Sequence, residues 1–320
     1  MTTRGSAVVG MMVIAVLAMT IAVLDYQLPL NTFLWREIQN TGHTPFFGVI
    51  SLLLLGISLR TLDRRLKHRW HHYLLALGAC IFLGAVTEFA QLIGPRDADF
   101  GDLIRDIAGA ISFLGVFMYF DRGMKVSISF RQRMGVLALA LAVLVISFVP
   151  LALLSETYVH RSRAFPVICD FDSRWSRRFL STTDARVEIV RSPDVWLSGR
   201  GKVGKLTLRS GDFPGMAIVE PYPDWREYTA LRFDLYSPAD TAIIIRIRIE
   251  DSHHNDEYTD RFNKIMAVLP GDSQISIPIS DVRVAPAGRE LDLGSVGPIH
   301  IFTVNLIRQH TLFIDNIRLE

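Results

Sequence analysis

Long apolar runs fill the first half of the chain, and short alternating segments fill the second. The apolar runs cover 7–24, 45–59, 73–93, 103–120 and 134–154. A helix needs roughly 20 apolar residues to cross a hydrocarbon core, with about 17 as the short limit. The second run reaches that length by borrowing 41–44, and the fourth carries Arg105 and Asp106 in its first turn. The pattern predicts five transmembrane helices, at about 7–24, 42–59, 73–93, 103–120 and 134–154. From Phe165 onward the period drops to two. Ile243, Ile245, Ile247 and Ile249 point one way, and Arg246, Arg248 and Glu250 the other. Ile275, Ile277 and Ile279 repeat the scheme, and Gly, Pro, Asp and Ser punctuate the segments. Such short strands predict an all-β sandwich. The expected fold is therefore a membrane all-α bundle (1–155), a short tether (156–164) and a C-terminal all-β jelly-roll sandwich (165–320).

Composition sharpens this division. Half of the 320 residues are apolar, and the excess over an ordinary soluble protein sits in the first half. The net charge of +2 names no partner, and no basic patch with interleaved aromatics points to nucleic acid. Cys80 lies in an apolar run and Cys169 opens the polar half, so no disulfide is expected.

Charge asymmetry orients the helices. The loop 60–72 holds Arg60, Arg64, Arg65, Lys67 and Arg69, and the loop 121–133 holds Arg122, Lys125, Arg131 and Arg133. The intervening loops hold one basic residue each, Arg36 and Arg96. The positive-inside rule makes the basic loops cytoplasmic. The N-terminus is then expected inside, and the C-terminal half extracytoplasmic. A cleaved signal peptide is the alternative for the first run; its length, the lack of a small-x-small cleavage pattern and the further spans argue against it. Pro150 is expected to kink the fifth helix or mark its outer end. Gly109, Ala110, Ser112 and Gly115 line one side of the fourth and permit close packing.

The polar groups around 87–109 are costly in hydrocarbon and need a reason. Glu88 and Gln91 share one helix face, Asp102 and Asp106 share another, and a short turn with Pro95 and Arg96 joins the two helices. Short connection makes these helices antiparallel neighbours. His43 stands at the entrance of the second helix. Two readings follow for His43, Glu88, Gln91, Arg96, Asp102 and Asp106: a clasp in which Arg96 and Arg105 neutralise the acids, or a site for a polar headgroup, cation or proton.

The pattern Glu88-x-x-Gln91, Pro95-Arg96, Asp102, Asp106 and Gly109, with His43-Thr44-Pro45-Phe46-Phe47 before it, resembles the VanZ-like membrane family over roughly 10–120. That family usually has Asn where this chain has Asp106. It is associated with low-level glycopeptide (teicoplanin) resistance and has no established biochemical activity. The resemblance implies a bacterial cell-envelope setting in the inner membrane and no particular reaction.

In the C-terminal half three stretches resemble galactose-binding-like jelly rolls of the carbohydrate-binding-module type. They are Cys169-Asp170-Phe171-Asp172, the segment 224–235 beginning Asp224-Trp225-Arg226-Glu227-Tyr228, and Thr311-Leu312-Phe313-Ile314-Asp315-Asn316-Ile317-Arg318-Leu319. The resemblance implies adjacent first and last strands, and a possible structural calcium at Asp172 and Asp315. Two carboxylates are too few for calcium without carbonyls and water. Trp196, Trp225 and Tyr258 are candidate sugar platforms, and His253, His254 and Arg261 are candidate polar partners in the densest polar loop. Trp225 has core as its alternative, and the loop has a plain solvated reading.

Catalysis has little support: no nucleophile elbow, phosphate loop or zinc spacing occurs, and the acids Glu220, Asp224 and Glu227 fit almost any sandwich. The expected function is non-catalytic binding of an envelope or extracellular glycan by a protein anchored in a lipid bilayer. The alternatives are a membrane enzyme or transporter for a lipid-linked envelope precursor, acting through Glu88, Gln91, Arg96 and Asp102, or an assembly protein whose sandwich binds another protein.

Overall fold

The computed structural model describes residues 3–25, 28, 32–93, 99–197, 199 and 201–320. The chain divides into two compact units, Met1–Ser155 and Glu156–Glu320.

The first unit is helical: α1 (Thr3–Asp25), α2 (Phe33–Thr61), α3 (Arg69–Ile93), α4 (Phe100–Phe120), the short α5 (Arg122–Ser127) and most of α6 (Phe130–Ala164). Among the described residues, α1 to α4 and α6 are long and apolar enough to cross a membrane. Helix α2 starts well before its apolar run. Thr32 caps it by accepting from the Trp35 N–H at 3.2 Å, and Arg36, Glu37 and Gln39 are good helix formers that an apolar pattern does not register. Pro45 lies inside this helix and removes the hydrogen bond that Thr41 would accept. Helix α6 likewise continues past Pro150 to Ala164, so the stretch expected as a tether is helical.

Two apolar clusters hold the helices together. One joins Val16, Phe47, Ile50, Cys80 and Ala110; the other joins Leu55, Tyr73, Ala76, Leu114 and Met124. Helices α2 and α4 pack tightly at Gly109, where a Cβ would fall 2.0 Å from the Thr44 carbonyl oxygen. Leu17, Phe82, Phe89 and Val145 are among the large apolar side chains left exposed. Where α4 ends, the Asp121 carboxylate accepts from Arg69 Nε at 2.9 Å, Tyr73 OH at 2.8 Å and the Gly123 N–H at 2.9 Å. It thereby ties the start of α3 to the start of α5. Cys80 and Cys169 are both buried and free, in different units.

The second unit is an antiparallel sandwich. Its elements are β1 (Val167–Cys169), α7 (Arg174–Arg177), β2 (Leu180–Thr183), β3 (Ala185–Arg191), β4 (Lys202–Leu208), β5 (Gly215–Ile218), β6 (Ala230–Ser237), β7 (Ile243–Asp251), β8 (Phe262–Val268), β9 (Gly271–Pro278), α8 (Ile279–Arg283), β10 (Val296–Phe302) and β11 (His310–Leu319). One sheet runs β3-β4-β11-β6-β9, with β1 also paired to β11; the other runs β2-β5-β10-β7-β8. The first and last strands are thus neighbours. Alternation decides which side each residue takes: Ile243, Ile245, Ile247 and Ile249 of β7 are buried, as are Ile299 and Ile301 beside them. Burying each such side chain contributes roughly 1.5–3 kcal/mol. Ile279 departs from the expected strand scheme, since it opens α8, but it is buried all the same. The last turns of α6 belong to this unit, where the Tyr158 ring meets Phe179 edge-on at 5.4 Å and Arg161 donates to the Glu220 carbonyl at 2.9 Å.

Candidate functional site

The polar face of β7 gains its meaning from register. Arg248 lies opposite His300 of β10 and Asn263 of β8, and His300 lies opposite Ala217 of β5, which faces Ser181 of β2. The next row on the same side is Thr183, Gly215, Phe302, Arg246 and Ile265. Since side chains alternate across a sheet, both rows stand on the outer face of the five-stranded sheet. Small residues in the middle and large ones at the ends make a groove of about 370 Å³. That lies within the range of small-ligand sites, roughly 300–1,000 Å³. Gly215 is small of necessity, because a Cβ there would sit 2.4 Å from Phe302 Cβ.

The groove carries both chemistries a sugar requires. Phe213 is 58% exposed and pairs with Phe302 at 6.3 Å between centroids. Arg248, Arg261 and His300 line the same groove. Burial pushes the His300 imidazole below its ordinary pKa, and the Arg248 charge adds to this, so it is neutral at pH 7 and offers one donor and one acceptor. Tyr258, 56% exposed, stands beside Arg261, whose guanidinium lies 5.3 Å from the ring centroid.

The polar loop after β7 is built rather than merely solvated. Arg289 donates from Nη1 to Asp251 at 2.5 Å and from Nε to Asp260 at 2.5 Å, bridging the two ends of the loop. The His254 side chain is only 6% exposed, with Nδ1 2.9 Å from the Asp260 carbonyl and Nε2 3.5 Å from Glu250. The Arg289 hydrogen bonds hold Asp260 down to about 2. At Asp251 burial opposes ionisation, yet Arg289 and the Asp292 N–H outweigh it and keep that carboxyl below its usual range. A carboxyl depressed in the fold adds stability above its unfolded pKa of about 3.9, and the contribution is lost as pH falls through the folded value. Thermal stability of the sandwich is therefore expected to fall between about pH 4 and pH 2. Arg289→Met should lower the melting temperature at pH 7 and flatten that acid limb; unfolding followed by circular dichroism across pH checks both.

Of the ligand residues expected from sequence, Arg261 lines the groove and Tyr258 stands beside it. His253 is exposed beside Asp292, at 3.8 Å, and His254 serves the loop network. Trp225 is fully buried, donating from Nε1 to the Tyr222 carbonyl at 2.8 Å, and Trp196 is buried against Tyr236 and Phe313 of the other sheet. Neither presents an exposed face for stacking: Trp225 takes the core position weighed for it, and Trp196 is a core residue as well. Phe213, Arg248, His300 and Phe302 are the groove residues that sequence reading did not nominate.

Asp172 and Asp315 line one cavity with Asp170 and Asp234. The Asp172 carboxylate accepts from the Lys202 N–H, Asp170 from Ser173 and Ser176, and Asp234 from Asn316. Among the described residues no group of three or more His, Cys, Asp or Glu side chains is placed to hold a metal ion. The acids Glu220 and Asp224 are engaged as well, by Tyr158 OH and by Arg226.

In the helical unit the polar residues do converge. His43 Nδ1 lies 2.9 Å from Asp106 Oδ1, and Nε2 lies 3.6 Å from Asp102 Oδ2. Arg105 donates to Asp102 at 2.7 Å, and Glu88 Oε2 accepts from the Asp99 N–H at 3.1 Å. Gln91 is buried on the same face of α3 as Glu88. Arg96 lies outside the described residues. The clasp reading thus keeps Arg105 on Asp102, with His43 between Asp102 and Asp106 as a third helix's contribution.

No protein-family profile matches the chain, and no characterised protein matches it in sequence. Among solved structures it is similar to an exo-β-agarase, with 20% identity and a TM-score of 0.40 over 48% of this chain, which spans only 24% of that enzyme. A family 11 carbohydrate-binding module from Clostridium thermocellum, in complex with a β-1,3-1,4-mixed-linked tetrasaccharide, shares 21% identity over 48% of this chain and 93% of its own, with a TM-score of 0.38. A family 28 carbohydrate-binding module specific for non-crystalline cellulose shares 13% identity over 49% of this chain and 94% of its own, with a TM-score of 0.35.

Proposed function

We propose that this chain is a membrane-anchored, non-catalytic glycan-binding protein of the cell envelope. The observation that carries the reading is the groove on the outer face of the five-stranded sheet. There a neutral imidazole and two guanidiniums stand beside exposed aromatic rings, which is what sugar hydroxyls and sugar C–H faces require. The apolar length of five helices and the basic loops support an inner-membrane anchor with its N-terminus cytoplasmic and the sandwich extracytoplasmic. The VanZ-like motif in the helical unit supports an envelope role, in glycopeptide tolerance among others.

Screening the full chain on a glycan array, with calcium and with a chelator, tests the reading. Binding to a defined glycan class, unchanged by the chelator, is expected. Binding to proteins of the envelope and to no glycan would favour an assembly role for the sandwich and overturn the proposal.

A further inference from the structure

The polar cluster of the helical unit is incompletely satisfied. Glu88, Gln91 and Asp106 are only 9%, 4% and 1% exposed. Yet among the described residues Glu88 Oε1, Gln91 Nε2 and Asp106 Oδ2 have no hydrogen-bond partner. Buried polar atoms in native proteins are nearly always paired, and leaving one unpaired costs about 1–3 kcal/mol, more when it is charged. The carboxylates of Glu88 and Asp106 stand on the facing sides of α3 and α4. A Cβ on Gly84 would lie 2.9 Å from Asp106 Oδ2, so that oxygen is turned toward α3. Glu88 follows Gly84 by one turn on the same face, and Gln91 follows Glu88. His43 of α2 closes the third side.

A second observation adjoins the first. A cavity of about 270 Å³ lies between α1 and α2, walled by Val23, Leu28, Ile38, Gly42 and Phe46, with Gln39 and His43 as its polar lining residues. The cluster therefore lacks hydrogen-bond donors at two carboxylate oxygens, and beside it is a space suited to hydrocarbon.

We propose that the helical unit binds an amphiphile bearing a primary ammonium, its head at Glu88, Asp106 and His43 and its alkyl chain in the cavity between α1 and α2. An ammonium brings three N–H donors to acceptors that lack them, and a charge opposite to theirs. An anionic head would meet carboxylates and leave the same oxygens unpaired. The inference is independent of glycan binding by the sandwich.

The test uses the full chain in phosphatidylcholine nanodiscs, with octylamine, octyl sulfate and ethylamine as probes and empty nanodiscs as the blank. Saturable stabilisation against heat reports binding to the folded state. Octylamine is expected to saturate, and at least about tenfold below either other probe. Glu88→Gln and Asp106→Asn, which keep shape and remove charge, should each weaken it about tenfold. Gly42→Leu fills the cavity from a position where a Cβ meets nothing within 4 Å, and should weaken octylamine while leaving ethylamine unchanged. Absence of saturation in the native chain, equal affinity for octyl sulfate, or affinity indifferent to all three variants would overturn the proposal.

Discussion

The double variant Arg261→Ala/His300→Ala should bind the array-identified glycan roughly a hundredfold more weakly than the native chain while melting at nearly the same temperature. Both side chains line the groove, and neither belongs to the Arg289 network that holds the loop. Each hydrogen bond to a charged group is worth about 1.5–3 kcal/mol, so loss of the Arg261 contact alone accounts for about a tenfold change or more. Removing the imidazole adds the loss of a group that both donates and accepts. Isothermal titration with the variant and native chains measures the change. Phe213→Ala should cost less, because its ring supplies dispersion and no hydrogen bond.

The largest effect on the helical unit should come from Gly109→Ala. The added Cβ would sit 2.0 Å from the Thr44 carbonyl oxygen and 3.1 Å from the Gly48 N, and backbone atoms cannot rotate away. Helices α2 and α4 must then separate, opening the cluster of Phe47, Ile50 and Ala110. Overpacking of this kind costs typically 1–3 kcal/mol, and about 3 kcal/mol is expected here because the obstacle is main chain. Gly42→Ala is the matched control, since a Cβ there meets nothing within 4 Å. It should be neutral or stabilise by up to about 1 kcal/mol through helix propensity. Thermal unfolding of the two variants in nanodiscs should therefore shift in opposite directions or by very different amounts.

Much of the architecture is legible along the chain because it is periodic. The apolar runs located the long helices, and the alternation of Ile243 to Glu250 separated the buried side of β7 from its polar side before any partner strand was known. What periodicity does not register is a polar helical turn, so the apolar pattern starts α2 nine residues late and stops α6 at 154. Spacing likewise brought Glu88, Gln91, Asp102 and Asp106 together, since helix faces and a short turn are local geometry. The groove was out of reach for the opposite reason. Arg248 meets His300 and Phe302 meets Gly215 only through register between strands far apart in sequence. Trp196 and Trp225 were nominated by residue type, yet size and apolarity serve a core as well as they serve a sugar platform. Burial chose the core for both.

Hydroxyl-radical footprinting of the full chain, with and without the bound glycan, tests the central claim most directly. Protection is expected at Phe213, His300, Phe302 and Tyr258, the oxidisable side chains in and beside the groove. Unchanged reactivity there, with protection elsewhere on the sandwich or nowhere, would contradict a glycan site on the outer face of the five-stranded sheet.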